Sequence, residues 1–199
     1  MWKKIQQGGA AMSQSPERKI DFEQFKSISR AITSYRDLNF LVNHLVEHIC
    51  RAFAVRGSCI LLYDDHEQAL FRVASHGLSE AYLSKGPLPL DEVSSRLARG
   101  ESVFIEDMQS DDRVLYPEAA REEGLISMLS IPVRYRTAFL GIIRVYHDQP
   151  WSLHGSDLDS FFLLGEQLGL VVENNGLKNF LEQVRTAICC LPRRMREGL

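Results

Sequence analysis

Little in this sequence is present in excess. Its 199 residues include only 4 cysteines, 7 prolines, 13 glycines and 2 tryptophans. So few cysteines, none in a C-x-x-C spacing, exclude a disulfide-stapled scaffold and suit a reducing compartment. The glycine and proline counts exclude collagen-like and low-complexity chains. Neither charge sign dominates: Lys+Arg 23 against Asp+Glu 26 gives a net charge of −3. A weakly acidic chain is not built around a large phosphate-binding surface, so no nucleic-acid partner is expected. No run approaches the ~18 uninterrupted apolar residues of a membrane-spanning helix, so no membrane partner is expected. The first eleven residues carry Lys3 and Lys4 but no apolar core, unlike a secretory signal. A cytoplasmic location is the resulting expectation. What remains, 45% apolar and 25% charged, is the composition of an ordinary globular protein.

At ~150 residues per domain the length predicts one domain and roughly 50 residues beyond it. Residues 1–19 lack periodicity and read as a disordered tail. Residues 20–176 read as the folded domain. Residues 177–199 read as a helical extension, with Cys189 and Cys190 near its end, and a basic tail over Leu191–Arg196.

A first helix starts near Asp21, a plausible cap, with Phe25, Ile28, Ile32 and Tyr35 on one narrow stripe. Asp37 caps a second helix to about Phe53, with a wider apolar stripe suited to lying on a sheet. Ser58–Tyr63 and Leu70–His76 flank a polar turn and read as an antiparallel hairpin. A short helix covers Ser79–Ser84, and the Pro-rich stretch Gly86–Leu90 is an extended connector. Asp91 caps another short helix to Arg99, closed by Gly100. Val103–Glu106 is a third strand, and residues 107–116 form a polar loop. Pro117 opens a helix that ends at Gly124. Ile126–Val133 and Phe139–His147 are the last two strands. A long helix then runs from Ser156 to about Cys190, with a break expected at Asn174–Gly176. Gly165 and Gly169, four residues apart, would let another backbone approach closely. Hairpin strands between terminal helices predict an α+β fold: an antiparallel sheet of five or six strands with helices on one face.

Strand alternation assigns faces. Phe139, Gly141, Ile143 and Val145 share the face that suits the helix layer, and Ile142, Arg144 and Tyr146 share the other. Arg72 shares a face with Leu70, Ala74 and His76. An arginine on such a half-apolar face is either a ligand contact or a salt-bridged anchor, for which Glu106, Asp107, Asp111 and Asp112 are the available acids. Arg113 and Tyr116 offer a guanidinium fork and an aromatic face, and Ser127 and Ser130 offer hydroxyls on the neighbouring strand.

The stretch Val103–Arg113, then Glu118–Val133, Gly141–Tyr146 and the helical Val171-Val172-Glu173-Asn174, resembles the GAF domain family. The element order from Asp21 matches as well. The resemblance implies a PAS-like antiparallel sheet, with terminal helices on one face and short helices and loops roofing a small-molecule pocket on the other. It implies a sensory or dimerisation role in signalling, and a loop over residues 107–116 that closes the pocket.

On this reading the chain is a non-catalytic module that binds an unidentified small molecule and transmits occupancy through its terminal helices. The candidate ligand-binding residues are Arg72, His76, Asp107, Arg113, Tyr116, Ser127, Ser130, Arg144 and Tyr146. A homodimer is expected through Phe25, Ile28, Ile32, Leu168 and Val172, acting on a separate signalling output protein. The sequence points to no particular cofactor. One alternative is a degenerate scaffold for protein–protein contacts, its pocket filled by Met128, Tyr146 and their neighbours. Another is a small-molecule enzyme such as a methionine sulfoxide reductase. Relatives with that activity, or with a covalently attached bilin, use roof cysteines, and this chain has none between Cys59 and Cys189. The Asn-Lys-Phe-Asp-Glu set of cyclic-nucleotide-binding relatives is also missing. His44-Leu45-Val46-Glu47-His48 matches H-x-x-E-H, a zinc-peptidase pattern. Both histidines fall on the solvated or flanking side of their helix, so no metal site is expected there.

Overall fold

A computed structural model describes residues 22–34, 37–86, 88–89 and 92–190. The expected tail over 1–19, the caps Asp21 and Asp91, Tyr35 and the basic tail from Leu191 lie outside the described residues, as do the side chains of Cys189 and Cys190.

The chain opens with α1 (Phe22–Ser34) and α2 (Leu38–Ala52). The Asp37 carboxylate caps α2 by accepting the Phe40 N–H at 3.1 Å. The hairpin β1 (Gly57–Asp64) and β2 (Ala69–His76) follows. Its turn is closed by Asp64, whose carboxylate accepts the N–H groups of His66 and Glu67. Then come α3 (Glu80–Leu83), β3 (Leu88–Pro89), α4 (Glu92–Ala98), β4 (Val103–Ile105), α5 (Pro117–Glu123), β5 (Ser127–Tyr135), β6 (Ala138–His147) and α6 (Gly155–Cys190). As Pro117 and Gly124 imply, α5 starts on the proline and ends at a glycine with φ +75°.

The strands form one antiparallel α+β sheet in the order β3-β2-β1-β6-β5-β4. The connector around Pro87 supplies the sixth strand: Leu88 and Pro89 pair with Leu70 and Ala69 at the sheet edge, where a proline costs no ladder hydrogen bond.

Each face of the sheet has its own core. On one, Ile60, Leu129, Ile131, Ile143 and Val145 pack against α1, α2 and α6. Phe53 and Phe161 stack at 3.9 Å between ring centroids, and Trp151 meets Phe161 edge-on. On the other, Cys59, Leu61, Ile105, Met128, Ile142 and Tyr146 pack under Tyr82, Leu97, Met108, Ala120 and Leu125 of the roof. Each fully buried aliphatic or aromatic side chain stabilises the fold by ~1.5–3 kcal/mol, against ~0–1 for an exposed ion pair. The two covers of the sheet therefore hold the fold, not its surface charges.

Two bulges correct the expected faces. Across β1 and β2 the register shifts between Ile60 and Leu61, leaving Val73 as an extra residue. Arg72 and Leu70 therefore face the roof, while Ala74 pairs with Ile60 on the helix side and His76 pairs with Ser58 there. His76 does not share a face with Arg72. In β6, Leu140 is the extra residue opposite the Val133/Arg134 shift. It turns Phe139 to the roof side, against Tyr63, rather than to the helix layer. One inserted residue inverts every side chain beyond it.

Helix α6 runs unbroken for 36 residues, ~54 Å at 1.5 Å per residue. The expected break at Asn174–Gly176 does not occur. One glycine costs ~1 kcal/mol in a helix, too little to end one that helix-forming residues continue on either side. Gly165 and Gly169 do receive another backbone, that of β5: a Cβ on them would lie 2.6 Å from the Pro132 carbonyl oxygen and 2.0 Å from that of Arg134. Among the described residues no helix is long and apolar enough to cross a membrane.

The helix core also claims the residues expected at a dimer interface. Ile28, Ile32 and Leu168 are buried within one chain, at 3%, 0% and 0% exposure, and so are not available to a second copy. Phe25 and Val172 are half-buried against the same core.

Gly169→Ala should lower unfolding stability by ~1–3 kcal/mol, because the methyl group has only strand backbone to displace. Gly176→Ala, with nothing within 4 Å of its Cβ, should leave stability equal or raise it by up to ~1 kcal/mol. Denaturant titration of both variants checks this pair.

Candidate functional site

The roof of the sheet is tied together from within. Ser79 caps α3, accepting the Tyr82 N–H at 3.2 Å, and its own N–H and hydroxyl donate to the Glu123 carboxylate at the end of α5. Under the α5 side, Val103, Ile105, Met108, Ala120, Leu125 and Met128 fill the space with apolar atoms. Under the α3 side they do not, and a cavity of about 420 Å³ remains.

The register dictates what lines that cavity. Cys59, Leu61 and Tyr146 form its floor on β1 and β6. Leu70 and Arg72 rise from β2, with Glu67 from the hairpin turn at the rim. Leu83, Lys85 and Gly86 close the α3 side. The Tyr146 ring meets Tyr82 edge-on at 5.7 Å, and its hydroxyl lies 3.8 Å from the Cys59 thiol. Lys85 Nζ sits 3.5 Å above the centre of the Tyr82 ring and donates to the Tyr82 carbonyl at 3.1 Å.

Arg144 lies on the same face of the sheet as this floor, near its centre, beside the cavity rather than lining it. It faces Cys59 across one ladder and Ser130 across the other. It is 8% exposed, Ser130 is fully buried, and neither Arg144 Nε nor Ser130 Oγ has a hydrogen-bond partner among the described residues.

Burial sets the protonation states. It pushes the Cys59 thiol up, so the sulfur is neutral at pH 7. It raises the Tyr82 hydroxyl to about 12 and pushes the Tyr146 hydroxyl well above the usual tyrosine range, so both remain hydrogen-bond donors. It lowers the Lys85 ammonium to about 8, with Arg144 and Arg72 adding like-charge repulsion.

Of the nine candidate ligand residues, Arg72 and Tyr146 line the cavity, and Arg144 and Ser130 lie beside it on the same sheet face. Tyr116 stands at its edge, its hydroxyl 2.6 Å from where a Cβ on Gly86 would be. The others lie elsewhere. His76 and Ser127 are on the helix side, where Ser127 Oγ donates to the Gln149 carbonyl at 3.0 Å. The Asp107 carboxylate accepts from the Gln109 N–H and the Ser110 hydroxyl, which hold its pKa below the usual range. Arg113 forks onto Asp111 at 2.8 and 2.5 Å. Asp107, Asp111 and Arg113 are therefore committed outside the cavity, which opens beside α3 instead.

Lys85 and Cys59 were not among the expected site residues. For Cys59 the signal was available, since it alternates with Leu61 on one strand face. For Lys85 none was, because the close of α3 places it. The H-x-x-E-H histidines stand half-buried in a ring column with Phe40, and Glu47 pairs with Arg51 at 2.5 Å. Among the described residues no group of three or more His, Cys, Asp or Glu side chains is placed to hold a metal ion.

Comparison with known proteins places this architecture. No curated protein sequence matches the chain significantly. Among solved structures it is similar to the GAF domain of an Acinetobacter phosphoenolpyruvate-protein phosphotransferase, at 24% identity over 78% of this chain and 93% of that one, with a TM-score of 0.67. The corresponding Coxiella burnetii domain matches at 17% identity over 79% and 95%, with a TM-score of 0.70. A free methionine-R-sulfoxide reductase from Neisseria meningitidis, solved with its substrate, matches at 14% identity over 76% and 87%, with a TM-score of 0.63. At these identities the likeness is one of fold, the fold typical of sensory and signalling modules. The family model of the GAF domain matches residues 36–173, from the start of α2 into α6. With more than half its length matched and the roofed antiparallel sheet in place, the chain belongs to the GAF domain family.

Proposed function

We propose that this chain is a non-catalytic, cytoplasmic sensory module. A small molecule enters the cavity beside α3, and its presence is transmitted through the terminal helices to a separate signalling protein. The observation that carries this reading is the cavity itself. It lies on the sheet face opposite α1, α2 and α6, and its walls mix apolar, aromatic and charged groups as ligand pockets do. The Neisseria reductase, solved with its substrate, supports the capacity of such a fold to hold a small polar molecule. Against reductase chemistry here stands the state of Cys59: a buried thiol held neutral is a poor nucleophile.

The helical side of the proposal rests on α6. Leu163, Leu170, Leu177 and Val184 recur every seven residues and are 47%, 47%, 53% and 37% exposed. Phe180 and Leu181 flank the last part of the stripe, also exposed. Seven-residue spacing on one helix is the seam of a coiled coil, and a second copy is its simplest partner. In this homodimer the contact shifts from the buried Ile28, Ile32 and Leu168 to the outer face of α6.

A second reading, a scaffold without ligand, draws on Met128 and Tyr146, which fill the middle of the roofed face at 5% and 1% exposure.

A saturating ligand at about a hundredfold its dissociation constant adds ~2.7 kcal/mol to stability. A metabolite panel screened by thermal shift should therefore contain at least one compound that raises Tm by several degrees. A flat response across the panel would leave the scaffold reading. Light scattering at micromolar concentration should report a dimer. Leu177→Glu with Phe180→Glu should give a folded monomer whose Tm falls only by the lost stabilisation of the dimer, since both side chains are exposed within one chain. A monomeric parent chain sinks the dimer.

A further inference from the structure

We infer that the cavity beside α3 takes a small organic anion, held by Arg72, Lys85 and Arg144, with Tyr146 and Ser130 as hydroxyl partners. The inference rests on reading this cavity as a sensing site and adds the class of ligand.

Its ground is unmatched charge. On the roof, Arg96 and Arg99 both hold Glu101, Arg113 holds Asp111 and Arg121 holds Glu118. Arg72, Lys85 and Arg144 hold no carboxylate among the described residues. For exposed Arg72 that is unremarkable alone. For Arg144, 8% exposed in the centre of a sheet, it is not. A buried guanidinium remains charged at any working pH, and burying it without a counter-charge is costly. Its Nε and the facing Ser130 Oγ both lack a partner there, and the guanidinium's own side-chain hydrogen bond goes to the Tyr146 hydroxyl, a neutral group that supplies no counter-charge.

The surroundings favour negative charge. Cys59 is neutral, and the hydroxyls of Tyr82 and Tyr146 are donors that do not ionise. Lys85 Nζ spends one donor on the Tyr82 carbonyl and keeps two. Two acids are near. Glu67 stands at the rim, and Glu123 is committed to Ser79. Three cations against one uncommitted carboxylate leave the cavity positive. Its volume of about 420 Å³ lies at the small end of the ~300–1,000 Å³ range of ligand sites.

The test is isothermal titration calorimetry on the full chain with probes that differ in charge. Acetate, succinate and inorganic phosphate are the anions, succinamide is neutral and 1,4-diaminobutane is cationic. Concentrations reach about 10 mM, ten times a dissociation constant of about 1 mM. At least one anion should bind saturably, and the carboxylates against phosphate identify the head group. Arg72→Gln and Lys85→Met, both at the cavity wall, should each weaken that anion about tenfold, the loss of one charge-assisted hydrogen bond. They keep the test valid should Arg144→Lys fail to fold. If succinamide or the diamine binds and no anion does, the anion inference is overturned while the sensing reading stands. If none binds, the anion inference is overturned, and the sensing reading stands or falls on the thermal-shift panel. Anions that bind both variants as tightly as the parent chain overturn the inference, because the site is then elsewhere.

A pH series adds an independent readout. The groups facing Lys85 are Cys59 on β1, Arg72 on β2, Tyr82 on α3, Glu123 on α5 and Arg144 on β6. With its pKa lowered to about 8, Lys85 loses its charge as pH rises through that value. Anion affinity should fall through the same pH, and the step should vanish in Lys85→Met. Between about 8 and 10.5 the unfolded chain binds the additional proton, so the empty protein should gain stability with rising pH there. A pH-independent affinity in the parent chain overturns the part given to Lys85.

Discussion

A sheet covered on both faces works only while each strand keeps its register, because a slip of one residue exchanges the two cores. In this chain the register is deliberate in its irregularity. Val73 and Leu140 are each one residue too many for their ladders, and each sits where β2 or β6 must turn a polar group away from one cover or bring an apolar one to the other. Without the bulge at Val73, Arg72 and Ala74 would share a face. Either a guanidinium would enter the helix core or Ala74 would leave it. The bulge lets Ala74 pack on α2 while Arg72 remains over the cavity. Bulges are common beside functional sites for this reason: they re-aim a side chain without ending the strand.

The same constraint explains what could be read from the sequence. Local signals were legible because local chemistry decides them. Asp37 accepts the N–H it was expected to accept, Pro117 opens its helix, and Gly124 adopts the left-handed cap. The α+β layout followed from hairpin strands between terminal helices. The face of a given side chain was legible only up to the nearest bulge. Phe139 and His76 lie beyond one, and strict alternation put both on the wrong side. Ser127 is a different case. It is three residues from Ser130, so the two hydroxyls could not have shared a face, and that spacing was open to view.

The cavity was less legible, because its walls come from segments joined only by tertiary contacts. Lys85 lies two residues past the end of a four-residue helix, against Tyr82. Nothing in its neighbours along the chain marks it. The 107–116 loop offered the richer list of polar groups, yet Asp107 spends its carboxylate on Gln109 and Ser110, and Asp111 and Arg113 spend theirs on each other. A loop rich in hydrogen-bonding groups is often rich because it must close its own turns. Unspent groups are the better guide to a site, and only packing reveals which are unspent.

Arg144 joins the two halves of the molecule. Its neighbours across the ladders, Cys59 and Ser130, belong to the strands on either side of β6. The next residue along β6, Val145, points the other way into the core that holds Phe161, Leu164 and Leu168 of α6. That helix rests directly on strand backbone, with Gly165 and Gly169 over the Pro132 and Arg134 carbonyls of β5. Close-packed contacts of this kind have little slack, since the interior has few voids into which a strand could shift unnoticed. A ligand that drew Arg144 toward the cavity would load β6 and β5 together, and α6 is seated on the far side of that pair. The distance from floor to helix is one sheet. A helix of 36 residues would then carry a small tilt at its seat to a larger displacement at its exposed end. Coupling of this form needs two stable seatings of α6 with different affinities for the ligand.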